Sequence, residues 1–291
     1  MTTSTSSFLS EADGTKVATY TWANVTGKPT GVVQIAHGLA EHGERYGRFA
    51  NALNAAGFVV HAVDHRGHGR TANGRLGDFG TAGFSGLIAD MAQFGKVLRA
   101  QHDNLPVFLF AHSMGSFAAQ AAMLDHASTW AGVVLSGSTA LDVLAAGMAN
   151  APADAPAGLA AFNAGFEHRT GYEWLSRDDA EVDAYVADPW CGWEVPEDVI
   201  PSLFAPASRL ADPALLAGIR NNLPVMIASG DADPLAGGGA LIQLLGQRYR
   251  DAGLTDVTVR LYPAARHEIL NETNRDEVTA DIVAWLRTHS A

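Results

Sequence analysis

Short runs rich in Val, Ile, Leu and Phe recur along the chain, separated by longer stretches whose apolar residues fall at helical spacing. Parallel strands joined by crossover helices produce this alternation. A strand buried on both faces needs a continuous apolar run, and each return to the same edge of the sheet needs a helix. Gly31–Ala36, Phe58–Val63, Pro106–Phe110, Gly132–Leu135, Pro224–Ala228 and Val257–Leu261 read as buried strands, and Lys16–Trp22 alternates like an edge strand. Tyr46–Ala56, Phe84–Gln101, Gly115–Asp125, Ala240–Arg250 and Asp276–Thr288 read as helices. The expected class is α/β, a mainly parallel central sheet flanked by helices.

From about Leu141 to about Ser208 the alternation breaks. Phe162, Phe166, Tyr172, Trp174, Tyr185, Trp190 and Trp193 sit there among Ala, Pro and Gly. A solvated excursion would not carry so many large apolar side chains, and a segment this long inside a compact domain usually has its own structure and commonly covers an active site. The expectation is a helical cap at 141–208 over a core made of 1–140 and 209–291. A chain of 291 residues suits one such domain with an insertion.

Composition narrows the partners. A formal charge of −12 argues against nucleic acid, which needs a surplus of Lys and Arg on some surface. No apolar run reaches the roughly 18 residues of a membrane span, and Met1–Lys16 lacks the basic start and apolar segment of a secretory signal. A soluble, cytoplasmic protein is expected. The single cysteine, Cys191, allows no intramolecular disulfide and argues against a thiolate metal cluster, so it reads as a structural thiol and no metal ligand is assigned.

The run Val107–Phe110 enters Ala111-His112-Ser113-Met114-Gly115 and then an Ala-rich helix. This matches the G-x-S-x-G nucleophile elbow with Ala111 in place of the first glycine. The strained turn needs small residues two before and two after the serine, so that strand and helix can approach. The new helix leaves the Met114 N–H free to meet a developing oxyanion. A second donor is expected after the strand Gly31–Ala36, where Gly38 permits a sharp turn that aims the Leu39 N–H at the same point.

A serine also needs an imidazole in reach and a carboxylate to fix that imidazole's tautomer. Strand Pro224–Ala228 ends in Ser229-Gly230-Asp231-Ala232-Asp233-Pro234. Asp233, three residues past Gly230, is the expected acid, and Asp231 the expected turn cap. Strand Val257–Leu261 leads to His267, the expected base; the later His289 lies near the chain end. Asp64-His65-Arg66-Gly67-His68-Gly69 lacks the acidic or thiolate partners of a metal site and reads as a structural loop.

Together with His37-Gly38-Leu39-Ala40-Glu41-His42, Arg45-Tyr46 and His267-Glu268-Ile269-Leu270-Asn271-Glu272, these motifs make the chain resemble the monoacylglycerol lipase and lysophospholipase branch of the α/β hydrolases, grouped with the serine aminopeptidases. The resemblance spans nearly the whole chain. It implies an α/β-hydrolase fold with a helical cap inserted after the sixth strand. It also implies a triad of Ser113, Asp233 and His267 and an oxyanion hole of Leu39 and Met114.

By the same resemblance, Glu41, Arg45 and His112 surround the glycerol end of a substrate, unless Glu41 and Arg45 simply pair and brace their loop. The activity implied is a serine ester hydrolase cleaving monoacylglycerols or similar single-acyl-chain lipids without cofactor. A general short-chain carboxylesterase or lysophospholipase is the alternative, and an acyltransferase or a non-catalytic binding scaffold the remote one. The cap is a candidate for transient contact with a lipid surface, and the oligomeric state stays open. Two departures from the family pattern are Ala111 in the elbow and the cap, whose sequence does not fix a substrate.

Overall fold

The computed structural model describes residues 3–150 and 158–290. Eight strands form one sheet: β1 (Ser4–Leu9), β2 (Lys16–Trp22), β3 (Gly31–Ala36), β4 (Phe58–Val63), β5 (Val107–His112), β6 (Gly132–Ser136), β7 (Val225–Gly230) and β8 (Val257–Tyr262). Their order is β1-β2-β4-β3-β5-β6-β7-β8; β1, β2 and β4 pair antiparallel and all later pairs are parallel.

Every residue of β3, β4, β5, β6 and β7 is buried, because helices cover both faces. Alternate residues of each strand enter opposite cores. Val32, Leu109, Val133 and Ile227 pack with α2 (Gly83–Gln101), α3 (Met114–His126) and α9 (Ala240–Asp251). Val33, Phe108, Phe110, Val134 and Met226 pack with α1 (Gly47–Ala55) and α10 (Arg275–Thr288).

The excursion between β6 and β7 carries α4 (Leu141–Ala149), α5 (Asp179–Ala187), α6 (Val199–Leu203), α7 (Ala207–Leu210) and α8 (Pro213–Leu216), with a 3₁₀ turn at Glu173–Leu175. Its Leu141, Trp174, Leu175, Tyr185, Val199 and Leu203 join the same core as α2 and α3, so the excursion is packed down rather than solvated. Residues 151–157 of the segment expected as a cap lie outside the described residues.

Two expectations about the sheet's edges need correction. β2 is not an edge, since β1 pairs along its outer side. The sequence hides β1 because Ser4–Leu9 is mostly exposed and carries no apolar alternation to read. Val257–Leu261 is not a fully buried strand. β8 is the far edge, has no outer neighbour among the described residues, and stays half-exposed along most of its length.

Candidate active site

The site lies where the C-terminal ends of the parallel strands meet the excursion after β6. Ser113 sits in the turn from β5 into α3 with φ +50 and ψ −121, a region that costs a non-glycine residue about 1–3 kcal/mol. Hydrogen bonds on both sides hold it there. Its N–H donates to Ser136 O at the end of β6 (2.9 Å), and its carbonyl accepts from Ser116 N–H (2.7 Å) and Ser116 Oγ (2.6 Å). The turn also requires Gly115, where a Cβ would come 2.5 Å from Ala36 O. Fully buried Ala111 fits opposite Ala36 with its methyl group in place.

The loop after β3 lies directly against this turn, since a Cβ on Gly38 would stand 3.1 Å from Ser113 Cβ. Gly38 N–H donates to Glu41 Oε1 (2.5 Å) and Ala40 N–H to His68 Nε2 (3.2 Å), so both amides flanking Leu39 are taken up inside the protein. Met114 opens α3, where its N–H has no intrahelical acceptor. Two buried imidazoles brace the loop. His37 donates Nδ1–H to Gly38 O (2.7 Å) and accepts His65 N–H at Nε2 (2.9 Å); His68 donates Nδ1–H to Arg66 O (2.7 Å). Burial pushes both down to about 3, so they stay neutral.

The loops after β7 and β8 cross tightly at Gly230, where a Cβ would come 1.9 Å from Ala265 O. That crossing brings Asp233 Oδ2 within 2.8 Å of His267 Nδ1, with both side chains buried. Asp233 Oδ1 accepts from Leu235 N–H (2.9 Å), which fixes the carboxylate's orientation. Asp231 instead caps the second loop by accepting Ala264 N–H (2.6 Å). Burial pushes His267 down, but the charge and hydrogen bond of Asp233 outweigh it and leave the imidazole above its ordinary value. The excursion grips this loop from above: His267 N–H donates to Trp174 O (3.2 Å), Glu268 N–H to Leu175 O (2.8 Å), and the Trp174 ring lies 4.7 Å from the imidazole.

Ser113, His267, Leu39 and Met114 line one cavity. Leu144, Met148, Leu159, Phe162 and Leu203 from the excursion form its apolar part, and Glu41, His112 and Glu268 its polar end. Arg45 is not in that wall. It lies behind, in a smaller adjoining cavity, donating Nη1 to Glu41 Oε2 (2.9 Å) and both terminal nitrogens to Glu268 (2.6 and 2.8 Å). Glu41 and Arg45 therefore do pair, and Glu41 also faces the cavity. Burial pushes both carboxylates up, but the guanidinium between them outweighs it and holds them below their usual range. His112 touches Ser136 Oγ through Nδ1 (3.2 Å) and is pushed down by burial to about 4.

Sequence reasoning did not single out Glu268, Trp174 or Tyr185 as site residues. Glu268 adjoins His267, which is a usable signal, but its partner Arg45 is 223 positions away. Tyr185 donates its hydroxyl to Ala40 O (2.8 Å), next to Leu39, and nothing in its neighbours along the chain points there.

Comparison with known proteins agrees with this architecture. A family model described as serine aminopeptidase, S33, matches residues 27–274. The chain is 28% identical to a monoacylglycerol lipase of Mycolicibacterium smegmatis over 95% of this chain and 94% of that one. It is 28% identical to the human monoglyceride lipase over 97% of this chain and 90% of that one. Among solved structures, a thermostable carboxyl esterase from Bacillus coagulans in complex with glycerol superposes with a TM-score of 0.86 at 27% identity, covering 100% of both chains. A lipase in open form gives 0.84 at 30% identity, covering 99% of both. The chain belongs to the serine aminopeptidase, S33, family and is a serine hydrolase of the α/β-hydrolase fold.

Proposed function

We propose that this serine hydrolase cleaves monoacylglycerols or closely similar single-chain esters, with Ser113 as nucleophile, His267 as base, Asp233 as its orienting acid, and the Leu39 and Met114 N–H groups as the oxyanion hole. The observation that carries the reading is the junction, in the wall of one apolar cavity, of a strained serine turn with His267, which buried Asp233 holds from behind. His267 Nε2 takes the Ser113 proton as Oγ attacks the ester carbonyl, and the two amides hold the resulting oxyanion. The imidazolium returns the proton to the departing alcohol, and water repeats the sequence to release the acid. No cofactor enters these steps.

The cavity's two ends support the substrate class. An acyl chain fits the apolar part beneath segment 141–208, which we take as the cap, and a small polyol head fits beside Glu41 and His112. Arg45 acts on that head through Glu41 rather than by touching it. Relatives named for monoglycerides cover nearly all of this chain. The test is a panel of monoacylglycerols, lysophosphatidylcholine, and short and long p-nitrophenyl esters. Highest kcat/KM on monoacylglycerols is expected, falling at least tenfold with Glu41→Gln. Equal or better cleavage of short simple esters, unchanged by that substitution, would contradict the substrate assignment.

A further inference from the structure

Beside the active site, where the turn after α5 meets the loop after β3, three unlike ligand-type side chains converge. One nitrogen of His42, a carboxylate oxygen of Asp188 and the Sγ of Cys191 all lie within 4.8 Å of one another. His42 Nε2 stands 2.9 Å from Asp188 Oδ2, and the other carboxylate oxygen accepts Trp190 N–H (2.9 Å). His42 is 5% exposed and Cys191 7%. Among the described residues, the buried Nδ1 of His42 has no hydrogen-bond partner. Nε2 is the ring nitrogen that faces Asp188, so an ion shared with that carboxylate replaces their hydrogen bond with two metal bonds, and the imidazole proton moves to Nδ1.

We propose that His42, Asp188 and Cys191 form a binding site for a borderline-soft divalent cation of the Zn²⁺ or Co²⁺ class, pinning the turn after α5 to the loop after β3. Imidazole, carboxylate and thiolate together favour such ions over Mg²⁺ or Ca²⁺, which prefer oxygen donors alone. Zinc bond lengths of about 2.0–2.3 Å put tetrahedral donors roughly 3.3–3.6 Å apart, so a contraction of about an ångström from the widest spacing completes the set. Binding moves the Cys191 thiol proton to solvent and forms the metal–sulfur bond, and water fills the fourth position.

The charges close. A neutral imidazole, a carboxylate and a thiolate balance a dication, and nearby Arg45 is already engaged by Glu41 and Glu268. Asp188, whose side chain is 30% exposed, gives the ion its way in. The same turn donates Gly192 N–H to Ala40 O (3.0 Å), immediately after Leu39, so an ion here tightens the seam that supports the proposed oxyanion loop.

Metal titration of the intact protein tests the site. One equivalent of Co²⁺ should produce thiolate-to-metal charge-transfer absorption that Zn²⁺ abolishes by displacement, and Zn²⁺ should raise the melting temperature. Cys191→Ser should lose the absorption, while Asp188→Asn and His42→Gln should each weaken Co²⁺ at least tenfold. Circular dichroism of each variant separates loss of the site from loss of the fold. The proposal is overturned if tenfold excess Co²⁺ gives wild type no such absorption, if Cys191→Ser retains it, or if neither other substitution changes the affinity.

Discussion

At the scale of single residues, the chemistry rests on how burial and partners set three side chains. Ser113 is locked into its turn by bonds to its own N–H and carbonyl, so its hydroxyl is presented by a backbone held on both sides. Asp233 raises the His267 pKa against the pull of burial. A base must be neutral to act, so kcat/KM should climb with pH through a midpoint above the usual imidazole value of about 6.5. Asp233→Asn should move that midpoint down, because the charge that raises it is gone, and should cut kcat about 10⁴-fold through the wrong tautomer. A pH–rate profile of both proteins checks this. An acid limb at the same pH in the two would contradict the coupling. What the letters reveal at this scale is local: the small residues around Ser113 and the Gly230 turn are visible in a few consecutive positions. Glu268 is not, because its role is defined by an arginine on the other side of the molecule.

At the scale of elements, the decisive feature is how closely loops must pass to bring the proposed acid and base together. The strands that deliver Asp233 and His267 are adjacent, and Ala232 N–H bonds Ala265 O (3.0 Å) across the gap. No side chain fits at Gly230, so Gly230→Ala should push the loops apart. A drop of kcat by at least a hundredfold is expected, with a lower melting temperature but a sheet still visible by circular dichroism; near wild-type activity would show that the crossing is not needed. The parallel strands are legible because burial on both faces writes continuous apolar runs, whereas β1 goes unassigned and β8 reads as buried because edge strands are shaped by what is missing beside them. The excursion after β6 was legible only as an interruption. Its short helices have no long periodicity, and its hold on His267 and Glu268 comes from the Trp174 and Leu175 backbone carbonyls, which no residue pattern encodes.

At the scale of the whole molecule, the fold buries an unusual set of neutral histidines. His37, His61 and His68 are pushed down to about 3, and His112 to about 4, chiefly by burial. In the unfolded chain each takes a proton near pH 6.5, while in the folded protein it does not until pH 3–4. The stability they contribute is therefore present above about pH 6.5 and lost as pH falls toward 4, by up to ~1.4 kcal/mol per pH unit for each. His267 works the other way, since a raised folded pKa favours the fold below its unfolded value, but it is one group against these four together with His65 and His102, which burial also pushes down. Melting temperature should fall steeply between pH 6.5 and 4, and a flat profile would contradict this account. No helix among the described residues is long and apolar enough to cross a membrane.

In the proposed mechanism, three loops from separate strands converge to activate one serine. Reaction of the folded protein with a fluorophosphonate, followed by peptide mass spectrometry, tests it most directly. Rapid stoichiometric labelling at Ser113 is expected, abolished by Ser113→Ala and strongly slowed by His267→Ala. Labelling elsewhere, or at Ser113 with equal speed in the His267 variant, would contradict it.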